Sequence, residues 1–132
     1  GFEGGVTLVA AHTPATAAPN DGLLLTLDWA VAADDTPPWV IFVHLVDESG
    51  RLWAQSDGPP EAWLQSFAEA QPGEALQSER ALLVPPDAPP GAYRLLLGLY
   101  DQAGGERARV VAGPEAGSDH LELGVVQVSL PR

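Results

Sequence analysis

The order of apolar and polar residues along this chain predicts a fold built from short β-strands. Residues 39–47 are β-branched, aromatic or aliphatic apart from His44 and Asp47, and they follow two prolines. Such a run is typical of a central strand. Because both of its faces are apolar, we expect this strand to be covered on both sides.

Two neighbouring segments extend the pattern. Residues 51–57 are predicted to pair with the central strand as a β-hairpin, because Gly50 in the intervening turn accepts a positive φ. Residues 23–30 alternate between a fully apolar face and a mixed face, and Trp29 falls on the apolar one. We therefore predict that Trp29 lies in the core.

The rest of the chain supplies more strands and one exception. Further strands are predicted at 6–11, 76–84, 92–100, 106–111 and 120–130. In the last of these, a bulge at Gly124 and Val125 is expected to bring the apolar residues into one register. Residues 58–75 differ, since Trp63 and two later apolar residues have a helical spacing that predicts one short helical turn.

One loop gives a more specific signal for the fold. Tyr93 follows Pro90 and Gly91 just inside a strand, as in the tyrosine corner of immunoglobulin-like sandwiches, where the hydroxyl bonds back to the preceding loop. About eight short strands separated by proline and glycine turns complete the argument. The sequence predicts one all-β domain over residues 1–132, an immunoglobulin-like antiparallel β-sandwich with one short helical turn.

Charge and composition exclude several classes of partner. The chain has six arginines, no lysine and 18 acidic residues, for a net charge of −12. Binding to nucleic acid or an anionic membrane requires clustered cations, so neither partner is expected. The absence of cysteine excludes thiol catalysis and thiolate metal sites. No apolar run is long enough to span a bilayer, so we expect no direct membrane insertion by this segment.

The tryptophans suggest a ligand-binding patch, because aromatic faces stack on sugar rings while polar side chains bind hydroxyl groups. Trp53 is predicted to share a strand face with Gln55 and Asp57, and Trp63 begins a segment that can fold over that face. Glu79, Arg80 and His44 complete the candidate patch. The structural alternative is that each tryptophan covers a sheet edge and that His44 pairs with Asp57 or Glu79 across the sheet.

Acidic loops give a second candidate site. In an immunoglobulin-like topology, Asp34 and Asp35 lie at the same end of the sandwich as Asp101, and Ca²⁺ prefers several carboxylate ligands. The alternative is a set of solvated loop acids. No organic cofactor is expected, and no catalytic motif occurs, so an enzyme is the class that the sequence favours least.

Several motifs together resemble a known family. They are LTLDW at 25–29, FVHLVDESG at 42–50, AQSDGPP at 54–60, PGE at 72–74, PGAYRL at 90–95 and GLYD at 98–101. In this order they are similar to the C-terminal β-sandwich domain of Chloroflexus-type bacterial membrane glycosyltransferases of the dolichyl-phosphate-mannose-protein-mannosyltransferase type.

The resemblance implies a position and a role. It implies a noncatalytic, extracytoplasmic accessory domain that is tethered to the membrane through upstream helices and binds or positions a glycan or a neighbouring protein domain. The chain begins at Gly1 and contains no methionine, so we expect it to be a piece of such a longer protein. Two alternatives stay open: a carbohydrate-binding module of a secreted hydrolase, and a structural or interaction domain without a small ligand.

Overall fold

A computed structural model of the chain describes residues 1–2, 5–32, 39–58, 73, 75–101, 106–111 and 115–130. The described part is all-β. Its strands are β1 (Val6–His12), β2 (Thr16–Ala17), β3 (Gly22–Val31), β4 (Trp39–Val46), β5 (Leu52–Gly58), β6 (Ala75–Leu83), β7 (Gly91–Asp101) and β8 (Leu121–Val128). The predicted helical turn around Trp63 lies outside the described residues.

The eight strands form two sheets that pack as a β-sandwich, as predicted. One sheet has three strands in the order β1-β3-β6, and the other has five in the order β2-β8-β7-β4-β5. Neighbours are antiparallel except for the short β2, which lies parallel to β8 and was not predicted. The residues between the sheets form one apolar core.

Strand β4 is buried on both faces, which confirms the prediction for the central strand. Ile41, Val43 and Leu45 are fully buried between the sheets. On the outer face of the five-stranded sheet, Phe42 is only 3% exposed. This face of β4 therefore has a covering of its own.

Two predicted anchors of the sandwich are confirmed. Trp29 is buried, and its indole N–H donates a hydrogen bond to the hydroxyl of Ser78 on β6 at 3.1 Å. Tyr93 is buried at the start of β7, and its hydroxyl donates to the carbonyl oxygen of Pro89 at 2.7 Å. Each bond satisfies a polar group that would be costly to bury alone. The second bond is the predicted tyrosine corner.

Bulges adjust the register of three strands. In β8 the unpaired extra residue is Leu123, one position before the predicted bulge at Gly124 and Val125. In β1 the extra residue is Val9, and in β5 it is Trp53. The bulge in β5 changes the direction in which the side chain of Trp53, a predicted site residue, points.

The prediction of a strand at 106–111 is wrong. This segment makes only isolated bridges, between Tyr100 and Arg107 and between Phe2 and Val110. The reason is that β8 pairs with β7 from Gly91 to Leu97, so that only the end of β7 is left for residues 106–108. That short pairing nevertheless fixes where Arg107 lies.

Candidate functional site

Three ring-bearing side chains form a cluster on the outer face of the five-stranded sheet. Phe42 and His44 lie two residues apart on β4, so both point to this face, and Tyr100 lies on β7. The centroid of the Phe42 ring is 4.8 Å from that of His44 and 6.3 Å from that of Tyr100. We refer to Phe42, His44 and Tyr100 as the outer-face cluster. His44 and Tyr100 are half-buried, which leaves part of each ring accessible.

Gly98 makes room for this cluster. It pairs with Phe42 across β4 and β7, and the Phe42 ring occupies the space where any larger residue at 98 would place its Cβ. A glycine inside a strand is typical of such a close approach. The ring of Phe42 therefore packs directly over Gly98.

A guanidinium group also lies over the Phe42 ring. The Cζ atom of Arg107 lies 4.5 Å from the centroid of Phe42, in the geometry of a cation–π contact. Its Nη1 atom also donates to Oδ2 of Asp119 at 3.3 Å. The other carboxylate oxygen of Asp119 lies 2.9 Å from Nδ1 of His120. Arg107, Asp119 and His120 thus form a polar chain along the edge of the outer-face cluster.

The charge state of Asp119 follows from these contacts. The hydrogen bond from His120 lowers the pKa of the Asp119 carboxyl group below the ordinary value of 3.8, and the nearby positive charge of Arg107 lowers this pKa further. Asp119 is therefore a carboxylate at neutral pH. It accepts hydrogen bonds and has no proton to donate.

Further polar side chains continue the face on both sides of the cluster. Gln55 on β5 lies directly across from His44, which in turn neighbours Leu96 on β7. Beyond Leu96, Glu122 on β8 lies within 3.9 Å of Arg94 as an exposed ion pair. The face therefore combines exposed hydrogen-bonding groups with partly accessible rings.

The structure brings some of the predicted binding residues together. His44 and Gln55 are cross-strand neighbours on this face. The backbone of Asp57 pairs with Phe42, but its side chain lies outside the described part of the chain, as does Trp63. The pairing of His44 with Glu79 across the sheet is wrong, because Glu79 belongs to the other sheet.

Trp53 does not share a face with Gln55, contrary to the sequence prediction. The bulge in β5 interrupts the alternation at Trp53. Its ring instead packs edge-on against Tyr93 at a centroid distance of 6.4 Å, and its indole N–H donates to Oδ2 of Asp47 at 2.9 Å. Trp53 therefore lies at one end of the sandwich, beside the hairpin turn.

Asp47 organises that turn. Its Oδ1 atom accepts hydrogen bonds from the backbone N–H groups of Ser49 and Arg51 and from the Ser49 hydroxyl. The bonds from the side chains of Ser49 and Trp53 are the main reason why the pKa of Asp47 lies well below its ordinary value. Both carboxylate oxygens are engaged within the turn, which gives this acid a structural role.

Glu79 and Arg80 do not join the patch either. They are adjacent on β6 and so point to opposite sides of the three-stranded sheet. Glu79 is exposed on the outer face, whereas Arg80 points between the sheets, is 6% exposed and donates through Nη1 to the carbonyl oxygen of Glu79. Among the patch residues whose side chains the structure describes, His44 and Gln55 are neighbours on the outer face of the five-stranded sheet, and Trp53, Glu79 and Arg80 lie elsewhere.

The calcium prediction stays a prediction. Asp34 and Asp35 lie outside the described residues, and Asp101 lies at the end of β7, where its backbone N–H bonds to the carbonyl oxygen of Glu106. In the part of the chain that the structure describes, no three histidine, aspartate or glutamate side chains are grouped closely enough to hold a metal ion. No helix with the length and hydrophobicity of a membrane span occurs in that same part.

Sequence reasoning missed most of the residues in this site. The sequence pattern identifies Phe42 and Tyr100 only as strand residues, and no motif groups Arg107 with Asp119 and His120. One signal was present: Gly98 interrupts an otherwise apolar strand, which indicates that another group approaches the backbone closely. Nothing in the sequence identifies Phe42 as that group.

Comparison with known proteins supports the fold and leaves the function open. No protein-family model matches the chain, and no curated protein does. Among solved structures, the chain is similar to the C-terminal domain of Wzt, with a TM-score of 0.62 and 14% identity over 97% of this chain and 75% of that one. This similarity supports the β-sandwich fold, and it does not support the resemblance to membrane glycosyltransferases.

Proposed function

We propose that this chain is a noncatalytic accessory domain that binds a carbohydrate on the outer face of its five-stranded sheet. The observation that carries the proposal is the outer-face cluster of Phe42, His44 and Tyr100, flanked by hydrogen-bonding groups. Ligand sites combine apolar, often aromatic, surface with a few well-placed polar groups. A sugar ring offers the matching surface, since it presents C–H groups on its face and hydroxyl groups around its edge.

The geometry of the polar groups suits hydroxyl partners. Gln55 is exposed beside His44, and the guanidinium of Arg107 lies over the Phe42 ring. An amide both donates and accepts hydrogen bonds, and a guanidinium donates five. A ligand on the accessible parts of His44 and Tyr100 therefore has donors and acceptors within reach at its edge.

The bonding of Ser118, Asp119 and His120 favours a noncatalytic role. These three consecutive residues are of the types found in a hydrolytic triad, but Oγ of Ser118 lies 2.8 Å from the carbonyl oxygens of both Glu115 and His120, so its single proton is shared between backbone acceptors. A nucleophilic serine needs its hydroxyl proton directed at a base. Asp119 has a lowered pKa, whereas a general acid in a glycosidase needs a raised one.

The location of the domain is a further part of the proposal. We infer an extracytoplasmic domain that is tethered to the membrane through upstream helices of a glycosyltransferase-like protein, on the basis of the motifs at 42–50 and 90–95. Sequencing the gene upstream of Gly1 tests this. Several apolar segments of about 20 residues are expected. A cleavable signal followed by a hydrolase domain would instead identify a module of a secreted enzyme.

Binding is tested by titrating the ¹⁵N-labelled domain with neutral oligosaccharides of mannose, galactose, glucose and rhamnose and with acidic oligomers of galacturonic acid. We expect saturable shifts of amide resonances at residues 42–44 and 96–100. Tyr100→Ala should weaken binding, and Glu79→Gln on the outer face of the other sheet should not. Shifts confined to the other sheet, or none at all with every saccharide, would refute the proposal.

A second candidate function is favoured by the outer face of the three-stranded sheet. Leu24 is 62% exposed and Leu83 is 59% exposed, and the exposed Ala81 lies directly across from Leu24. Adjacent exposed apolar groups are typical of protein contacts. If this face docks a neighbouring domain of the parent protein, Leu24→Ser combined with Leu83→Ser should weaken that association without changing saccharide binding.

A further inference from the structure

A cleft lies next to the outer-face cluster. A depression of about 640 Å³ lies between residues 106–109 and 117–119. Arg107 belongs to both places, because its guanidinium covers the Phe42 ring and also lines the cleft. A ligand that lies on the cluster therefore reaches the cleft across a single side chain.

The charges that line the cleft balance each other. Arg107 and Arg109 are exposed along the same side of residues 106–110, since the intervening Ala108 is buried. Glu106 and Asp119 supply two negative charges. The described lining of the cleft is thus close to neutral, on a protein whose net charge is −12.

The ion pair of Arg107 and Asp119 keeps most of its hydrogen-bonding capacity. Arg107 uses one of the five N–H donors of a guanidinium in its bond to Asp119. Each carboxylate oxygen of Asp119 accepts one bond, from Arg107 or from His120, and has a second lone pair. Both side chains are nearly half exposed, so the remaining donors and acceptors are accessible beside each other.

We propose that the Arg107–Asp119 pair is a subsite for two adjacent hydroxyl groups of an uncharged sugar residue. The inference rests on the proposed carbohydrate-binding function and names the class of ligand. One hydroxyl donates to the carboxylate, and its neighbour accepts from the guanidinium. The stacking of Arg107 on Phe42 and the bond from His120 to Asp119 hold the two groups in place before the sugar arrives, which lowers the entropic cost of binding.

An acidic sugar fits this subsite less well. Its carboxylate is attracted by Arg107 but repelled by Asp119, whose Oδ2 lies only 3.3 Å from the guanidinium. It also has to approach a strongly negative protein. A cationic sugar has the opposite conflict, with Arg107. The balanced pair therefore selects for uncharged ligands.

The test uses galactotriose, mannotriose and trigalacturonic acid as probes, because the last differs from galactotriose in charge at the same ring positions. A neutral trisaccharide is expected to shift the amide resonances of residues 106–109 and 117–119 and to bind more tightly than trigalacturonic acid. Asp119→Asn and Arg107→Lys should each weaken neutral binding by about 10- to 100-fold, the usual range for a hydrogen bond to a charged group. Glu79→Gln removes the same charge as Asp119→Asn on the opposite face and should leave affinity unchanged.

Each outcome of this test is decisive. Tighter binding of trigalacturonic acid, weakened by added NaCl, would overturn the inference in favour of an anion site. Neutral binding at the outer-face cluster that is unaffected by Asp119→Asn and by Arg107→Lys would overturn the subsite alone and leave the proposed function intact. Failure of all three probes and of the wider saccharide panel would overturn both. Unchanged melting temperatures and ¹⁵N spectra of the two variants show that they are folded.

Discussion

Replacing Gly98 with alanine tests the packing on which the outer-face cluster depends. A Cβ at position 98 would overlap the ring of Phe42 and would lie 2.8 Å from the carbonyl oxygen of Asp119. The first contact requires the ring to move, and the second requires the backbone near Asp119 to move. Neither neighbour is the flexible end of a long side chain, so relaxation is difficult.

The expected cost follows from these two displacements. Adding a methyl group to a well-packed site costs about 1–3 kcal/mol. Moving the Phe42 ring also disturbs its contact with Arg107, and an exposed cation–π contact contributes about 0.5–1 kcal/mol. We therefore expect Gly98→Ala to lower the free energy of unfolding by about 2–3 kcal/mol.

Urea unfolding monitored by circular dichroism measures this change, and Gly22→Ala is the matched control. Gly22 also lies in a strand, but a Cβ there meets no atom within 4 Å, so its replacement should be neutral or should stabilise by up to about 1 kcal/mol. A double-mutant cycle with Phe42→Leu identifies the cause. The reasoning would be refuted if Gly98→Ala lowered the free energy of unfolding by no more than Gly22→Ala does. It would also be refuted if the effects of Gly98→Ala and Phe42→Leu on that free energy were strictly additive.

Three further predictions concern the rest of the sandwich. Tyr93→Phe removes the hydroxyl that closes the corner before β7, so urea unfolding should show a loss of about 1–3 kcal/mol; an unchanged midpoint would contradict the assigned role. Ser78→Ala removes the acceptor of the Trp29 indole N–H, and a similar loss is expected, whereas Ser78→Thr should retain most of the stability. The carboxyl group of Asp47 should titrate below its ordinary pKa of 3.8 in ¹³C NMR, because it is hydrogen-bonded when ionised. Its contribution to stability is therefore present above about pH 4 and is lost as the pH falls through the folded-state pKa, so Asp47→Asn should destabilise the domain at pH 7 and make little difference in strong acid.

The fold was predictable because its strongest signals are local. Alternation in residues 23–30 identifies which side of β3 faces the core, and the paired apolar faces of β4 require two coverings. The tyrosine corner needs only the five residues from Pro89 to Tyr93 to be recognised. Each of these features can be found without knowing which strands are neighbours.

The site was much less predictable for two reasons. It is assembled from segments that are distant in the sequence, and one bulge changes the face of the sheet to which the side chains of β5 point. Phe42, Gly98 and Arg107 meet only after β4 and β7 have paired, and no periodic pattern relates their positions. Trp53 lies at the irregularity in β5, and a single extra residue inverts the face on which the following side chains fall. The predicted grouping of Trp53 with Gln55 was lost for that reason.

The bulge at Val9 affects how separate copies of the domain meet. β1 is the terminal strand of the three-stranded sheet and contains no lysine, arginine, aspartate or glutamate. A straight, uncharged strand in that place would be a template for intermolecular β-pairing and aggregation. Val9, 64% exposed, interrupts the regular spacing of backbone donors and acceptors in the middle of β1. The bulge thereby protects β1 against intermolecular pairing. On the edge strands of other sheets, charged side chains have this role.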